Sequence, residues 1–461
     1  MYNRNTSRSG RPTSPQRDWT QGSISANFWA LSWPIVVGGA LNMLGPTIDM
    51  IWVGRLGEAS VAGVGVSGMV VQLVNAMTMG LFTGMRAMIA RFIGAGDAEA
   101  ANHVARQAFV ISVAFSVIMA VIGVFFAEPI LIMLGVAPEV VNEGAAYLRI
   151  NFIGTVTMTF RMMTEAAMQA SGDAMRPMRI AIFFRLFHVA LCPFLIFGWW
   201  IFPHMGVSGA AVTNVFSQAL GAGIGLWFLF GGYTRLRFNF KHFHLDPATI
   251  WRMVKIGIPA SITAMERTFG QLALMWLVVP FGTMAVAAHT VGQRIDQMVA
   301  TPLMAFGQSG GILAGQNLGA NQPERAAKTG WIAVGWSTII LFVMSGILLI
   351  WAEPIASVFT SSSELIDLSG TYIRIQVAGY VFFGFGMVLS QVLNGVGDTL
   401  PVMIFTLLGM WGVQVPVAYL LSRHTDVGVA GVWWGMAAGI IFRSTIYGFY
   451  FRSGRWKTRH V

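Results

Sequence analysis

The chain has 461 residues, of which 55% are hydrophobic and 10% are charged, and its formal net charge is +10. Because a soluble domain carries about 25% charged residues, this composition excludes a soluble globular protein and indicates an all-α integral membrane protein. The single cysteine excludes an internal disulfide framework and a multi-cysteine metal site. The positive charge does not imply a nucleic-acid partner, because basic residues of membrane proteins collect on the cytoplasmic side.

The chain begins with a polar, basic segment that lacks the apolar core of a cleavable signal peptide. We expect residues 1–25 to form a disordered cytoplasmic tail. At the other end, residues 452–461 are expected to form a basic cytoplasmic tail.

Twelve apolar runs are long enough to cross a bilayer. They lie at about 27–53, 61–90, 104–126, 145–170, 178–201, 207–230, 252–280, 284–313, 329–351, 371–394, 401–421 and 428–451. If the amino terminus is inside, nineteen Lys and Arg residues fall in cytoplasmic segments and four on the opposite side. This bias predicts that both termini are cytoplasmic.

The chain repeats itself at a displacement of 225 residues. Ala-Glu-Pro-Ile at 127–130 recurs at 352–355, and Tyr147 with Arg149 recurs as Tyr372 with Arg374. Each half holds six predicted helices, so the two halves have the same orientation in the membrane. The predicted organisation is an amino-terminal six-helix lobe at 26–230, a cytoplasmic linker at 231–251 and a pseudo-symmetric carboxy-terminal lobe at 252–451.

The first predicted helix contains a carboxylate, Asp49, deep in an apolar run. A carboxylate there costs roughly 2.5–3.5 kcal/mol on insertion scales, so such residues usually face a cavity, a partner or a transport pathway. Pro46 cannot donate a backbone hydrogen bond and should free the carbonyl of Asn42, four residues earlier. Asn42 and Asp49 are two helical turns apart and therefore share a face.

Several short motifs occur along the chain in a fixed order. They are Asp49 with Val53-Gly54-Arg55-Leu56-Gly57, Gly172-Asp173, Pro193-Phe194-Leu195-Ile196-Phe197-Gly198, Gly315-Gln316-Asn317-Leu318-Gly319-Ala320 and Asn394-Gly395-Val396-Gly397-Asp398. In their order and spacing these motifs resemble those of the multidrug and toxic compound extrusion (MATE) family of the MOP flippase superfamily. The resemblance covers about residues 27–451. It implies that Na⁺ or H⁺ runs inward while an organic, often cationic, compound leaves, and that Asp49 takes part in the coupling. It implies no cofactor.

The fifth predicted helix departs from the family pattern. Where many relatives carry an Asn and a second Asp, this chain has His188 and Cys192. Arg185 shares a helical face with His188, and Arg161 shares one with Glu165 in the fourth helix. The resulting candidates for cation coupling are Asp49, Asn42, Glu165, His188, Arg161, Arg185, Cys192 and Thr213, of which Thr213 matches a family hydroxyl.

These candidates favour H⁺ over Na⁺ as the coupling ion, because Na⁺ prefers several oxygen ligands and nearby guanidinium groups oppose an added cation. Alternative interpretations stay open. Asp49 could be a structural hydrogen-bond acceptor, the Arg161–Glu165 pair could only neutralise itself, and His188 could be a satisfied interior residue.

In the second half, Glu266 and Asp296 are candidates for attracting a cationic substrate. The tenth predicted helix has no carboxylate after Tyr372, so a second complete cation site is not expected. An adaptable apolar cleft is predicted from Met43, Met50, Met69, Phe306, Phe382 and Phe385. No metal-ligating or catalytic set is predicted, since the sequence contains no H-E-x-x-H motif.

The sequence thus predicts a cation-coupled antiporter that exports organic, cationic or amphipathic compounds by alternating access. It is expected to work as a monomer in a bacterial or archaeal plasma membrane, with small organic substrates and the lipid bilayer as partners. A flippase for lipids or lipid-linked oligosaccharides remains an alternative. It would need a large cationic central cavity, which could be formed by Arg86, Arg161, Arg185, Arg267, Arg294 and Arg443. An intramembrane enzyme is disfavoured.

Overall fold

The computed structural model describes residues 17–56, 58–135, 137–239, 241 and 243–459. Of the tail predicted for residues 1–25, residues 1–16 lie outside the described residues, as do residues 460–461 of the carboxy-terminal tail. The described residues form helices and contain no strand. The prediction of an all-α membrane fold is confirmed.

The helices follow the apolar runs along the chain. They are α1 Ile24–Val53, α2 Glu58–Gly94, α3 Ala98–Met133, α4 Pro138–Ile153, α5 Thr155–Ala170, α6 Met175–Phe197, α7 Gly206–Phe230, α8 Pro247–Val278, α9 Thr283–Gly319, α10 Pro323–Ile350, α11 Ala352–Ser357, α12 Ser363–Gly395, α13 Thr399–Leu407, α14 Val415–His424 and α15 Ala430–Ser453. Among the described residues, eight helices are long and apolar enough to cross a membrane. The number of twelve crossings stays a prediction.

The run predicted as one helix at 145–170 is interrupted at Gly154, where α4 ends and α5 begins. At this point threonine hydroxyl groups compete with backbone N–H groups for the carbonyl oxygens of the helix. Thr155 Oγ1 donates to the carbonyl of Asn151 at 3.1 Å, and Thr157 Oγ1 donates to the carbonyl of Gly154 at 2.8 Å. Such side-chain bonds offer the backbone an alternative to helical pairing.

As sets, the helices before residue 231 pack mainly on one another, and so do those after residue 246, although α8 packs most extensively on α2. Helix α2 connects the two groups by lying along α8 and α9, and α1 also packs on α9. A Cβ atom at Gly84 would overlap the carbonyl oxygen of Met253, and one at Gly319 would overlap that of Arg91. At these two positions the backbone of α2 contacts the backbones of α8 and α9 directly. Both contacts lie in the second half of α2, towards Gly94.

Both terminal segments lie across this same end of the molecule. Trp19, inside the segment expected to be disordered, is buried against Gly172. Arg325 Nη2 of α10 donates to the carbonyl of Gly22 at 2.8 Å. Arg91 Nη2 of α2 donates to the carbonyl of Arg459 at 2.8 Å.

Asp246 caps the amino end of α8 and ties it to α3. Its Oδ1 accepts from the backbone N–H groups of Ala248 at 3.0 Å and Thr249 at 3.2 Å. Its Oδ2 accepts from Thr249 Oγ1 at 2.6 Å and lies 3.1 Å from His103 Nε2. These hydrogen bonds, led by the one from the Thr249 side chain, hold the pKa of Asp246 below its usual range.

We predict that Gly319→Ala separates α2 from α9, because its Cβ has no space beside the carbonyl of Arg91. A cysteine placed at Ala90, which is fully buried in α2, should then react faster with a maleimide. The rate is measured by mass spectrometry of the labelled peptide. Gly346→Ala is the matched control, because a Cβ there meets nothing within 4 Å. Equal rates in both variants would contradict the close contact.

We also predict that Asp246→Ala lowers the melting temperature of the purified protein at neutral pH. Because the folded carboxyl has a lowered pKa, its stabilisation is complete above the unfolded value of about 4. It is lost as falling pH protonates the folded carboxylate. The difference in melting temperature between wild type and variant should therefore shrink below about pH 4. Asp426→Ala, at an exposed position, should show no such difference.

Candidate functional site

The buried carboxylate of Asp49 faces α6. Its side chain is 5% exposed, and Oδ1 lies 3.1 Å from Nε2 of His188, which is 1% exposed. The Sγ–H of Cys192 donates to the same oxygen at 3.5 Å. His188 and Cys192 are one turn apart on α6 and so share the face that packs on α1. The structure thus brings together the three residues at which this chain keeps or departs from the family pattern.

Arg185 closes the other side of His188. Its Nη1 lies 3.2 Å from Nδ1 of His188, and its Nη2 donates to the carbonyl of Asn42 at 3.4 Å. This is the carbonyl that Pro46 leaves without a helical donor. A Cβ at Gly45 would overlap the guanidinium, so the glycine gives Arg185 its space beside α1.

The contact with Arg185 selects one tautomer of His188. A guanidinium has only donors, so the Nδ1 atom that faces it must carry the lone pair. The proton of the neutral ring is therefore on Nε2, which faces Asp49. This tautomer is inferred from the hydrogen-bond partners. Nε2 lies within reach of Oδ1 but off the line of a hydrogen bond, since no hydrogen bond to it is formed among the described residues.

A second polar cluster lies beside the first. Arg161 Nη1 donates to Glu165 Oε2 at 2.7 Å and Arg161 Nε donates to Gln218 Oε1 at 2.8 Å. The guanidinium carbons of Arg161 and Arg185 lie 5.1 and 5.2 Å from the ring centroid of Phe184. No hydrogen bond or ion pair between Glu165 and Asp49 is present in the described part of the chain. Glu165 is therefore not a direct partner of Asp49 among the described residues, and its part in coupling stays a prediction.

The hydroxyl of Thr213 forms no hydrogen bond with Asp49 among the described residues. It donates to the carbonyl of Gly209 in its own helix at 2.7 Å, and its side chain is fully buried. Its role in coupling therefore stays a prediction that no contact in the described residues supports.

Asp49, His188 and Cys192 resemble a metal-ligand set, because their ligand atoms lie within 4.8 Å of one another. The environment does not suit a metal ion. A ligating imidazole nitrogen must be unprotonated, whereas Arg185 keeps the proton on the Nε2 atom that faces Asp49. The guanidinium also repels an added cation. These two features disfavour a metal ion at the cluster.

In the second group of helices, Glu266 of α8 is 6% exposed. Its Oε1 has no hydrogen-bond partner among the described residues. The charges of Arg443 and Arg267 act on it, but no ion pair is formed within the described chain. Arg267 is exposed and donates to Sδ of Met304 at 3.4 Å. A charged residue this far inside a membrane helix faces water or protein rather than lipid.

Asp296 of α9 is held by two tyrosines that sequence reasoning missed. The hydroxyls of Tyr372 and Tyr380 donate to its two oxygens at 2.5 Å each. The sequence contained a signal, because Tyr372 belongs to a repeated motif and Tyr380 lies about two turns further on the same helix. Both oxygens are engaged, so a cationic substrate at Asp296 would have to compete with two hydrogen bonds.

The predicted apolar cleft residues fall into two groups. Met43, Met50, Met69 and Phe382 are exposed, and Phe385 packs on Trp331 with ring centroids 6.0 Å apart. Phe306 is buried against Phe28 and Trp29, with ring centroids 5.7 and 5.5 Å apart. Phe306 therefore packs in the core of the described arrangement, and its assignment to a substrate cleft stays a prediction.

Comparison with known proteins agrees with these features. The MatE family model matches residues 34–194 and 259–420, two ranges that begin 225 residues apart. The probable multidrug resistance protein NorM of Thermotoga maritima is 29% identical over 94% of this chain and 93% of its own length. The probable multidrug resistance protein YoeA of Bacillus subtilis is 27% identical over 93% of each chain.

A solved structure has the same fold. It is described as the outward-facing conformation of a multidrug resistance MATE family transporter of the MOP superfamily. Its TM-score is 0.90 at 23% identity, over 96% of this chain and 98% of its own. The two matched ranges of the family model together cover more than half of the chain. The chain therefore belongs to the MATE family of multi-pass membrane transporters, which act in multidrug efflux and are not enzymes.

Proposed function

We propose that the protein is an H⁺-coupled antiporter that exports organic compounds, and that Asp49 carries the coupling proton. The observation that carries this proposal is the buried Asp49–His188 pair, 3.1 Å apart, with Arg185 behind the imidazole. The groups around this buried carboxylate are an imidazole 3.1 Å away, a thiol that donates to Oδ1 and a nearby guanidinium. Na⁺ is the less suitable ion, because these partners offer few oxygen ligands.

The exchange follows from charge. An ionised Asp49 attracts a cationic group of the substrate, and protonation removes that attraction. The proton and the cationic substrate therefore compete for binding in the lobe that contains Asp49. If the lobes rock about the cleft between them, a proton that enters from one side can be exchanged for a substrate that leaves from the other.

The contact between α2, α8 and α9 supports a particular access state. Glycines allow backbone contact at Gly84 and Gly319, and Arg91, Arg106 and Arg325 lie towards the same end of the helices. By the distribution of positive charge this end is cytoplasmic. We infer that the described arrangement is closed towards the cytoplasm. Both termini then lie in the cytoplasm of a bacterial or archaeal cell whose plasma membrane holds the transporter as a monomer.

A lipid-linked flippase is the second candidate, and the arginines favour it. Arg267 and Arg294 are exposed on long apolar helices, and Arg443 donates to Gln414 at 3.0 Å. Such side chains suit a phosphate headgroup better than an organic cation. Liposomes that hold the purified protein distinguish the two functions. Ethidium movement under a pH gradient supports the antiporter, and scrambling of a labelled phospholipid without ethidium movement supports the flippase.

We predict that Asp49→Asn abolishes the dependence of ethidium transport on a pH gradient and lowers the rate at least about tenfold, a loss of about 1.4 kcal/mol or more. Transport is measured in liposomes with the pH and Na⁺ gradients varied separately. Asp367→Asn, which changes an exposed carboxylate on α12, should transport like the wild type. Wild-type rates in Asp49→Asn would remove Asp49 from coupling. Transport that follows a Na⁺ gradient at fixed pH would overturn H⁺ coupling.

We predict that neutral His188 carries its proton on Nε2 and loses this preference in Arg185→Gln, because a glutamine amide can donate or accept. Nitrogen-15 NMR of labelled histidine distinguishes the two tautomers, and His188→Gln assigns the signal. Arg452→Gln, an exposed position at the end of α15, is the control and should leave the tautomer unchanged. A wild-type ring protonated on Nδ1 would contradict the inferred contact with Arg185.

A further inference from the structure

A second site is suggested by a cavity away from Asp49, at the junction of the two helix groups. It is bounded by Phe92 of α2, Arg106 of α3, Arg237 of the linker and Arg252 of α8, and its volume is about 670 Å³. Its walls therefore come from helices on both sides of the linker. None of these residues takes part in the contacts around Asp49.

Three guanidinium groups line this cavity and are incompletely paired. Arg106 donates to the carbonyl of Asn239 and to Glu99 Oε1, at 2.8 Å each, while its buried Nε has no partner in the described part of the chain. The side chains of Arg237 and Arg252 are exposed and form no hydrogen bond or ion pair with any described residue. Guanidinium groups bind phosphate through paired N–H donors.

The remaining charges of the lining leave a positive surplus. Glu99 is the one acid that lines the cavity among the described residues, and its side chain is 80% exposed and already paired with Arg106. His103 and His244 add two imidazoles, with ring centroids 5.1 Å apart. His103 is held by Asp246, 3.1 Å away. A single exposed carboxylate cannot neutralise three arginines, so the cavity favours an anion.

Exposed apolar side chains occur near the lining residues along the chain, where Leu245 follows His244 and Trp251 precedes Arg252. Leu245 is 56% exposed and Trp251 is 62% exposed at the start of α8, and Phe230 is 46% exposed at the end of α7. Tryptophan and other aromatic residues in such positions are typical of the membrane–water interface. Basic pockets between helices at that level bind phospholipid headgroups. An anion that reaches this cavity from the bilayer would place its acyl chains against these side chains.

We propose that this cavity binds a phosphate-bearing anion, supplied as the headgroup of an anionic phospholipid. Arg106, Arg237 and Arg252 hold the phosphate. The ligand connects α3 to α8 and so stabilises the described arrangement of the two helix groups. This site shares no residue with the contacts around Asp49. Failure of the proposed antiport would therefore not affect this proposal.

Native mass spectrometry of the purified full chain tests the proposal. The protein is exchanged into micelles that contain dioleoylphosphatidylglycerol or, separately, dioleoylphosphatidylcholine, and the retained lipids are counted. Wild type should retain phosphatidylglycerol in preference to phosphatidylcholine. The double variant Arg237→Gln/Arg252→Gln should bind phosphatidylglycerol at least about tenfold more weakly, as expected when charged hydrogen bonds are lost. Arg237→Lys/Arg252→Lys should recover much of the binding.

Arg452→Gln is the matched control, because it removes one exposed arginine that does not line the cavity. It should bind phosphatidylglycerol like the wild type. Equal retention of the two lipids by wild type, or unchanged retention in the double glutamine variant, would overturn the site. Binding of inorganic phosphate with the same arginine dependence, without preference for phosphatidylglycerol, would overturn the lipid as its source. Elution of every variant as a single folded species on size exclusion keeps loss of binding separate from misfolding.

Discussion

The contact between Arg185 and His188 controls the chemistry of the site. Because a guanidinium can only donate, it keeps the lone pair of the imidazole on Nδ1 and directs the Nε2 proton towards Asp49. A doubly protonated imidazole would place a second positive group 3.2 Å from the guanidinium. On this ground we propose that Asp49, rather than His188, exchanges the coupling proton. Pro46 and Gly45 make the position of Arg185 possible, since one frees the carbonyl of Asn42 and the other leaves space for the side chain.

A proton site in one lobe can drive transport only if its occupancy changes how the lobes meet. In the described structure the helices before residue 231 meet those after residue 246 largely through α2, which contacts α8 and α9 backbone to backbone at Gly84 and Gly319. Arg325 and Arg91 add contacts to the two terminal segments at the same end. Helix α1 also contacts α9, where Thr301 Oγ1 donates to Sδ of Met43 at 2.8 Å. Helix α1 thus carries Asp49, the proposed proton site, and also lies at the junction of the two helix groups.

Hydropathy and the family motifs predicted the helices and the meeting of Asp49 with His188 and Cys192, because these features depend on local sequence and on helical spacing. The freed carbonyl of Asn42 was predictable from Pro46 for the same reason. The two tyrosines on Asp296 and the burial of Phe306 were not predicted, because they depend on how α9 packs against α12 and α1. The break at Gly154 was also missed, since apolar periodicity continues through it while two threonine hydroxyls take backbone carbonyls. Family resemblance suggested that the hydroxyl of Thr213 takes part in coupling. In the described structure this hydroxyl donates to the carbonyl of Gly209 in its own helix.

The central claim is the proposal that Asp49, rather than His188, takes up the coupling proton. Infrared difference spectra of the purified protein, recorded as the pH is lowered, measure this directly through the carbonyl band of a protonated carboxyl group. We predict a band that grows in wild type and is missing in Asp49→Asn, without a matching imidazolium signal from His188. Identical spectra for wild type and variant, or protonation of His188 before any carboxyl band appears, would contradict the account.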